Sequence, residues 1–287
     1  MTKIVTTVAG LRTMLASRAL DESARIGLVP TLGALHAGHL SLVRQARNRA
    51  DTVVVSIFVN PTQFGAGEDF DAYPRTLDAD LEKLAGAADI VFTPNAQEMY
   101  PQGHATAISV AGPSAGLETD FRPHFFSGVA TLVAKLLIAA GPDVAVFGEK
   151  DYQQLLVVKR LVRDLALPVT IVGAPTLREE DGLAMSSRNA YLGPSERKIA
   201  GRLNVILKDA IAQVQAAGDL RAAEAGAIEA LWKAGFSHVD YVAIRDAETL
   251  EHVAALDRPA RILAAVRIGS TRLIDNMAVA APGSEQA

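Results

Sequence analysis

The chain has 287 residues, 49% of them hydrophobic, which suits one large domain or two unequal ones around a sizeable core. A formal charge of -4 provides no basic field for nonspecific nucleic-acid binding, so any anion site must be local. The absence of cysteine excludes disulfides, thiolate catalysis and cysteine-ligated metals, and no signal-like or bilayer-length apolar run is present, since 132–140 is short and interrupted by Lys135; a soluble, cytoplasmic protein with no nucleic-acid or membrane partner is expected.

The first clear element is the apolar run Ile26-Gly27-Leu28-Val29, which reads as a buried strand. The turn segment Pro30-Thr31-Leu32-Gly33-Ala34-Leu35-His36-Ala37-Gly38-His39 follows, and Leu40, Val43 and Ala46 then recur at helical spacing from His39 to Ala50. A second strand, 53–59, runs into Asn60-Pro61-Thr62-Gln63-Phe64. A helix is predicted over 78–84, a strand over 89–92, an apolar helix over 127–140 and a strand over 144–147 that empties into Gly148-Glu149-Lys150-Asp151. A helix over 154–165 and a strand over 169–172 complete the alternation. Strands buried on both faces and separated by helices predict an α/β fold with a Rossmann-like, doubly wound parallel sheet, whose ligands collect beyond the carboxyl ends of the strands. Past residue 177 the pattern changes to a polar loop over 178–189, Ala-rich helices over 194–217 and 220–234, and short strands over 240–244, 261–268 and 272–279, which predict a smaller C-terminal α+β domain. The segment 282–287 reads as a frayed tail.

Three polar loops thus fall on one sheet edge. The first joins a strand to a helix N-terminus, where free N–H groups and the helix dipole favour an anion, and His36 and His39 can donate to phosphate oxygens. A triphosphate suits it, with ATP the expected occupant, although the same pair would also serve as ordinary turn histidines. It is not a P-loop: Gly33 and Gly38 have the right spacing, but His39 and Leu40 stand where Lys and Ser or Thr are required. Gly65-Ala66-Gly67 likewise lacks the third glycine and the leading strand of a dinucleotide fingerprint. In 148–151, Lys150 suits phosphate and Asp151 a ribose hydroxyl, or Asp151 caps the next helix. Gln63 and Gln154 are uncharged amides, able to hold a hydroxy acid without neutralising its nucleophilic carboxylate, or simply surface residues. Met185-Ser186-Ser187-Arg188 combines hydroxyl donors with a guanidinium fork suited to phosphate.

Taken together, PTLGALHAGH at 30–39, VVVSIFVNPTQF at 53–64, YPRT at 73–76, FGEKDYQQL at 147–155, DGLAMSSRN at 181–189 and STRLIDN at 270–276 closely resemble the pantothenate synthetases, the pantoate:β-alanine ligase family of the HIGH-motif nucleotidyltransferases. The resemblance implies a Rossmann-like ATP- and pantoate-binding domain over 1–176 and a smaller lid domain over 177–287. ATP would lie across Leu32, Gly33, Ala34, Leu35, His36, Ala37, Gly38 and His39, across Gly148, Glu149, Lys150 and Asp151, and against Leu177, Met185, Ser186, Ser187 and Arg188. Gln63 and Gln154 would bind pantoate, with Asn60 and Tyr73 bordering that pocket. The implied reaction is ATP-dependent condensation of (R)-pantoate with β-alanine through pantoyl adenylate, releasing pyrophosphate and AMP, with His36, His39 and Lys150 as the catalytic residues. The alternatives are a nucleotidyltransferase that adenylates another small acid or phosphate and stops there, and a nucleotide sensor without turnover. A homodimer is implied, as is Mg²⁺ carried on the ATP phosphates rather than in a dedicated protein metal site.

Three departures from the family pattern stand out. Leu32 occupies a usual methionine position. Phe125 replaces a usual histidine, with His124 one place earlier. Ala79 replaces a common acidic residue, leaving Asp80 as the nearest candidate for touching magnesium.

Overall fold

The computed structural model describes residues 2–16, 24–65 and 67–281. The proposed tail at 282–287 and the central residue of Gly65-Ala66-Gly67 lie outside these. Six strands form a parallel sheet: β1 (Lys3–Val5), β2 (Ile26–Thr31), β3 (Thr52–Ile57), β4 (Ile90–Phe92), β5 (Val144–Gly148) and β6 (Thr170–Ala174), in the order β1-β4-β3-β2-β5-β6. The helices that flank it are α1 (Val8–Ala16), α2 (Ala37–Arg47), α3 (Leu77–Leu84), α4 (Ala96–Met99), α5 (Glu118–Phe121), α6 (Phe125–Ala140) and α7 (Tyr152–Asp164).

Alternation along each strand divides the core in two. Leu28, Val54, Ile90, Phe92, Ala145 and Phe147 face α1, α6 and α7, whereas Val29, Val53, Val55, Val91, Val144 and Val146 pack with Val43 and Ala46 of α2 and Leu84 of α3. The near-continuous apolar strands arise because both faces are covered, and each fully buried side chain of this kind contributes about 1.5–3 kcal/mol. β2 continues two residues past the predicted end: Pro30 lies beyond the short Gly27 and Leu28 pairing with β5, where its missing N–H breaks no ladder on that side. β1, α1, α4 and α5 add to the predicted elements; β1 buries Val5 alone of its three residues, so no apolar run marks it as the fully buried β4 is marked.

The second unit holds α8 (Pro194–Ala200), α9 (Arg202–Ala217), α10 (Leu220–Ala234) and an antiparallel sheet of β7 (His238–Asp246), β8 (Ala260–Ile268) and β9 (Thr271–Val279), with β8 in the middle. Its own core includes Leu203, Leu207, Leu231, Ile262 and Val266. The expected polar loop 178–189 is more ordered than its composition suggests, with a bridge between Arg178 and Ala184 and a 3-10 turn over 187–191. A small apolar seam, Leu117 and Leu156 against Ala243, Leu250 and Leu263, joins the two units.

The sheet order reverses between β2 and β5, so the loop after β2 and the loop after β5 open on either side of one crevice. The 3-10 turn Pro61–Gln63 after β3 stands beside them. No helix among the described residues is long and apolar enough to cross a membrane.

Candidate active site

A cavity of about 740 Å³ lies over this crevice and is walled by both units. Of the expected ATP-binding residues, Leu32, His36, Gly38, His39, Gly148, Lys150, Asp151, Leu177, Met185, Ser186, Ser187 and Arg188 line it, and so do Gln63 and Gln154. Gly33, Ala34, Leu35, Ala37 and Glu149 do not. They belong to the supports behind the wall: Leu35 is buried in the core, Ala34 O accepts a hydrogen bond from Ser187 Oγ at 3.1 Å, and Glu149 pairs with Arg261 at 3.1 Å.

The histidine pair is built into the start of α2. The helix begins at Ala37 rather than His39, because His36 is extended (φ -131, ψ 177) and its ring caps the helix. His36 Nδ1 accepts from Gly38 N at 3.1 Å, and His39 Nδ1 accepts from His36 N at 3.3 Å, a reciprocal capping box made of imidazoles. A Cβ on Gly38 would stand 2.8 Å from the His36 ring, so only glycine leaves the ring room to fold over the helix end. With both Nδ1 atoms accepting, the ring protons of the neutral histidines sit on Nε2. Burial and the nearby Lys150 ammonium lower the His36 pKa to about 4, and burial, His36 and Lys150 lower that of His39 to about 3. At neutral pH the pair therefore offers two uncharged N–H donors with fixed tautomers, their rings 4.1 Å apart.

Asp80 supports this loop rather than a metal. The fully buried carboxylate accepts Ala34 N–H at 2.8 Å and Leu35 N–H at 2.7 Å, while Lys83 Nζ donates to Leu35 O at 2.7 Å. Its oxygens face the backbone behind the cavity, which corrects the expectation that Asp80 touches magnesium. Among the described residues no group of three His, Asp or Glu side chains is arranged to hold a metal.

Gln63 is buried with Oε1 accepting from Asn60 Nδ2 at 3.2 Å, leaving Nε2 without a partner among the described residues. Asn60 does not border the cavity: it is fully buried, donating to Gly128 O at 3.1 Å and accepting from Tyr100 Oη at 2.8 Å. Tyr73 does border it. Gln154 lines the cavity with no side-chain bond among the described residues, whereas its neighbour Gln153 is buried and donates to Pro113 O and Gly116 O. Asp151 makes no capping bond, so the capping alternative falls away; its carboxylate lies 3.8 Å from Lys150 Nζ at the cavity wall.

Arg188 is held by Asp69, whose carboxylate accepts from Nε at 2.9 Å and Nη2 at 2.8 Å, leaving Nη1 unpaired among the described residues. Burial would raise the Asp69 pKa, but the Arg188 bonds outweigh it and hold the carboxyl below its usual range. Phe125 lies under Arg122, with the guanidinium 3.9 Å from the ring centre, and Arg122 also forks onto Glu68 and donates to Gln63 O at 3.0 Å. The exposed His124 lies outside the cavity lining.

Sequence reasoning overlooked several lining residues. Asp69, Arg122, Glu118 and Arg272 are charged residues whose partners lie far along the chain, and Arg272 forks onto Glu118 at 2.7 and 2.8 Å. Ser56 Oγ, Thr176 Oγ1 and Asn189 Oδ1 are buried, lack hydrogen-bond partners among the described residues, and all belong to residues on the cavity wall. Unmet polar atoms in one cavity mark a place shaped for a polar ligand.

The family profile described as pantoate-beta-alanine ligase matches residues 3–278. A pantothenate synthetase of Mesorhizobium japonicum is 57% identical over 96% of this chain and 98% of its own, and one of Caulobacter vibrioides is 54% identical over 96% and 98%. The crystal structure of pantothenate synthetase from Thermus thermophilus superimposes with a TM-score of 0.91 at 47% identity, covering 97% of this chain and 100% of that one. The Francisella tularensis pantoate-beta-alanine ligase, solved with beta-gamma ATP and β-alanine, gives 0.81 at 34% identity over 96% and 97%. With its sequence, its fold and its length matched in this way, the chain belongs to the pantoate-beta-alanine ligase family.

Proposed function

We propose that this cavity joins (R)-pantoate to β-alanine with ATP in two steps. The pantoate carboxylate attacks the α-phosphorus; an oxygen–phosphorus bond forms, the bond to the β-phosphate breaks, and pyrophosphate leaves. The β-alanine amine then attacks the acyl carbon of pantoyl adenylate, and AMP leaves. Activation is needed because a carboxylate and an ammonium at neutral pH form a salt, not an amide.

The observation that carries this reading is one cavity holding two kinds of donor. Gln63 Nε2 and Gln154 present uncharged amides, which orient a hydroxy acid without quenching its carboxylate. Lys150, the two histidine Nε2–H groups and the start of α2 supply charge and dipoles where negative charge builds on the phosphates. Because the histidines are neutral, Lys150 and Arg188 carry the positive charge and the imidazoles contribute aimed hydrogen bonds. Leu32, Leu177 and Met185 offer apolar surface suited to adenine, with Met185 N–H bonded to Leu177 O at 3.0 Å.

Mg²⁺ would be carried on the triphosphate, held by phosphate oxygens and water, and no step is assigned to a protein-held ion. Residues 177–287 act as the lid that shields the acyl adenylate from water. On this reading the enzyme works in the cytoplasm, where ATP is kept, and acts as a homodimer. The test is exchange of labelled pyrophosphate into ATP without β-alanine. Exchange that requires pantoate is expected; exchange that ignores pantoate refutes the reading.

A further inference from the structure

Among the described residues Lys150 makes one side-chain ion contact, the 3.8 Å approach to its own neighbour Asp151, so these partners do not fix its ammonium. Its backbone is held from the other unit. Asn276 in β9 is 3% exposed, and its Nδ2 donates to Glu149 O at 2.9 Å and to Lys150 O at 2.8 Å. Asn276 Oδ1 accepts Arg261 Nε at 2.6 Å, which settles which end of the amide faces the loop. The same guanidinium reaches Glu149 Oε2 at 3.1 Å and lies 3.8 Å from the Tyr152 ring centre. An amide meets these demands because it has an acceptor for the guanidinium and two hydrogens for the carbonyls; aspartate has no hydrogens to give, and alanine offers neither.

We infer that Asn276 is the positioning residue for Lys150: by gripping the two successive carbonyls of the 149–150 turn, it sets where the ammonium meets the ATP phosphates. The inference rests on the phosphate role proposed for Lys150. It also makes the lysine's place depend on how β9 sits against the parallel sheet, so the second unit does more than cover the cavity.

A double-mutant cycle read by pantoate-dependent adenylation, on the full chain, tests this. Asn276→Ala is expected to slow adenylation about 10- to 100-fold, the scale of a small misplacement of a reacting group. In a Lys150→Ala background the same change should matter by less than about twofold, because the group it positions is gone. Losses that multiply in full overturn the inference, since a merely structural residue would act regardless of Lys150. Asn276→Asp, which keeps the side-chain volume and the Arg261 acceptor, repeats the cycle if the alanine variant does not fold; if neither folds while Lys150→Ala does, the residue is structural and the inference falls. Wild-type protein lacking pantoate-dependent exchange would instead refute the ligase reading, and this assignment with it.

Discussion

Asp80→Asn should disable the site from behind. The carboxylate is wholly buried and accepts two backbone N–H groups, Ala34 at 2.8 Å and Leu35 at 2.7 Å, in a loop where Gly33 and Ala34 adopt φ of 88 and 50. A left-handed alanine costs about 1–2 kcal/mol and persists only while the surroundings hold it. An asparagine oxygen can keep one of the two bonds, but its NH₂ then faces the other N–H. Each hydrogen bond to a charged group is worth about 1.5–3 kcal/mol, so losing one and weakening the other should destabilise the fold by about 2–4 kcal/mol. For a chain of this size that is a fall in melting temperature of about 3–7 °C. The histidines begin two residues beyond Ala34, so adenylation should drop as well, even at temperatures where the variant stays folded. Thermal denaturation paired with pyrophosphate exchange reads both effects. A variant with wild-type melting and wild-type exchange would refute the claim that this carboxylate holds the histidine loop.

Three further outcomes are expected. His39→Ala should lower single-turnover adenylation about 10²–10³-fold while ATP affinity changes only a few-fold, because the charge it meets is largest in the transition state; equal losses in both would contradict this. Gln63→Ala and Gln154→Ala should each raise the KM for pantoate about tenfold or more with the KM for ATP unchanged, as steady-state kinetics with each substrate varied will show. His39 titrates from 6.5 when unfolded but near 3 when folded, so below about pH 6.5 the unfolded chain binds more protons: the stability is full above that value and drains away as pH falls toward 3. Allowing for the ring's partial exposure, the loss by about pH 5 is about 1–2 kcal/mol. His39→Gln, which can keep the cap without titrating, should flatten that part of the pH dependence of urea unfolding, and an unchanged slope would assign the effect elsewhere.

The strands of the parallel sheet were legible because residues buried on both faces leave unbroken apolar runs, as in 53–57 and 144–147. The loops after β2, β3 and β5 were legible as places, since a doubly wound sheet sends them to one edge. Their internal wiring was not. Nothing local in the sequence says that a histidine will cap its own helix, that Arg188 will lie on Asp69 119 positions away, or that Asn276 will grip the turn at Lys150. Such bonds join segments distant in the chain, and a lone Asp or Asn carries no period. Asp80 shows the same blindness in reverse: an acidic residue near a nucleotide loop suggests a metal ligand, and only its burial against two N–H groups reveals a brace. Ser56 and Thr176 were invisible because a hydroxyl in a strand or loop is ordinary until its partner proves missing.

Since His36 and His39 are at once the lock that starts α2 and the donors that face the cavity, selection cannot tune one duty without disturbing the other. A library randomised at these two positions would confound lost chemistry with lost helix, and most of its inactive members would say little about catalysis. Residues such as Gln154, which lines the cavity and holds up nothing else among the described residues, are the places where specificity can drift at small structural risk. The site is thus divided into a frozen half and a plastic half, and an engineer seeking a new acid substrate would begin with the second.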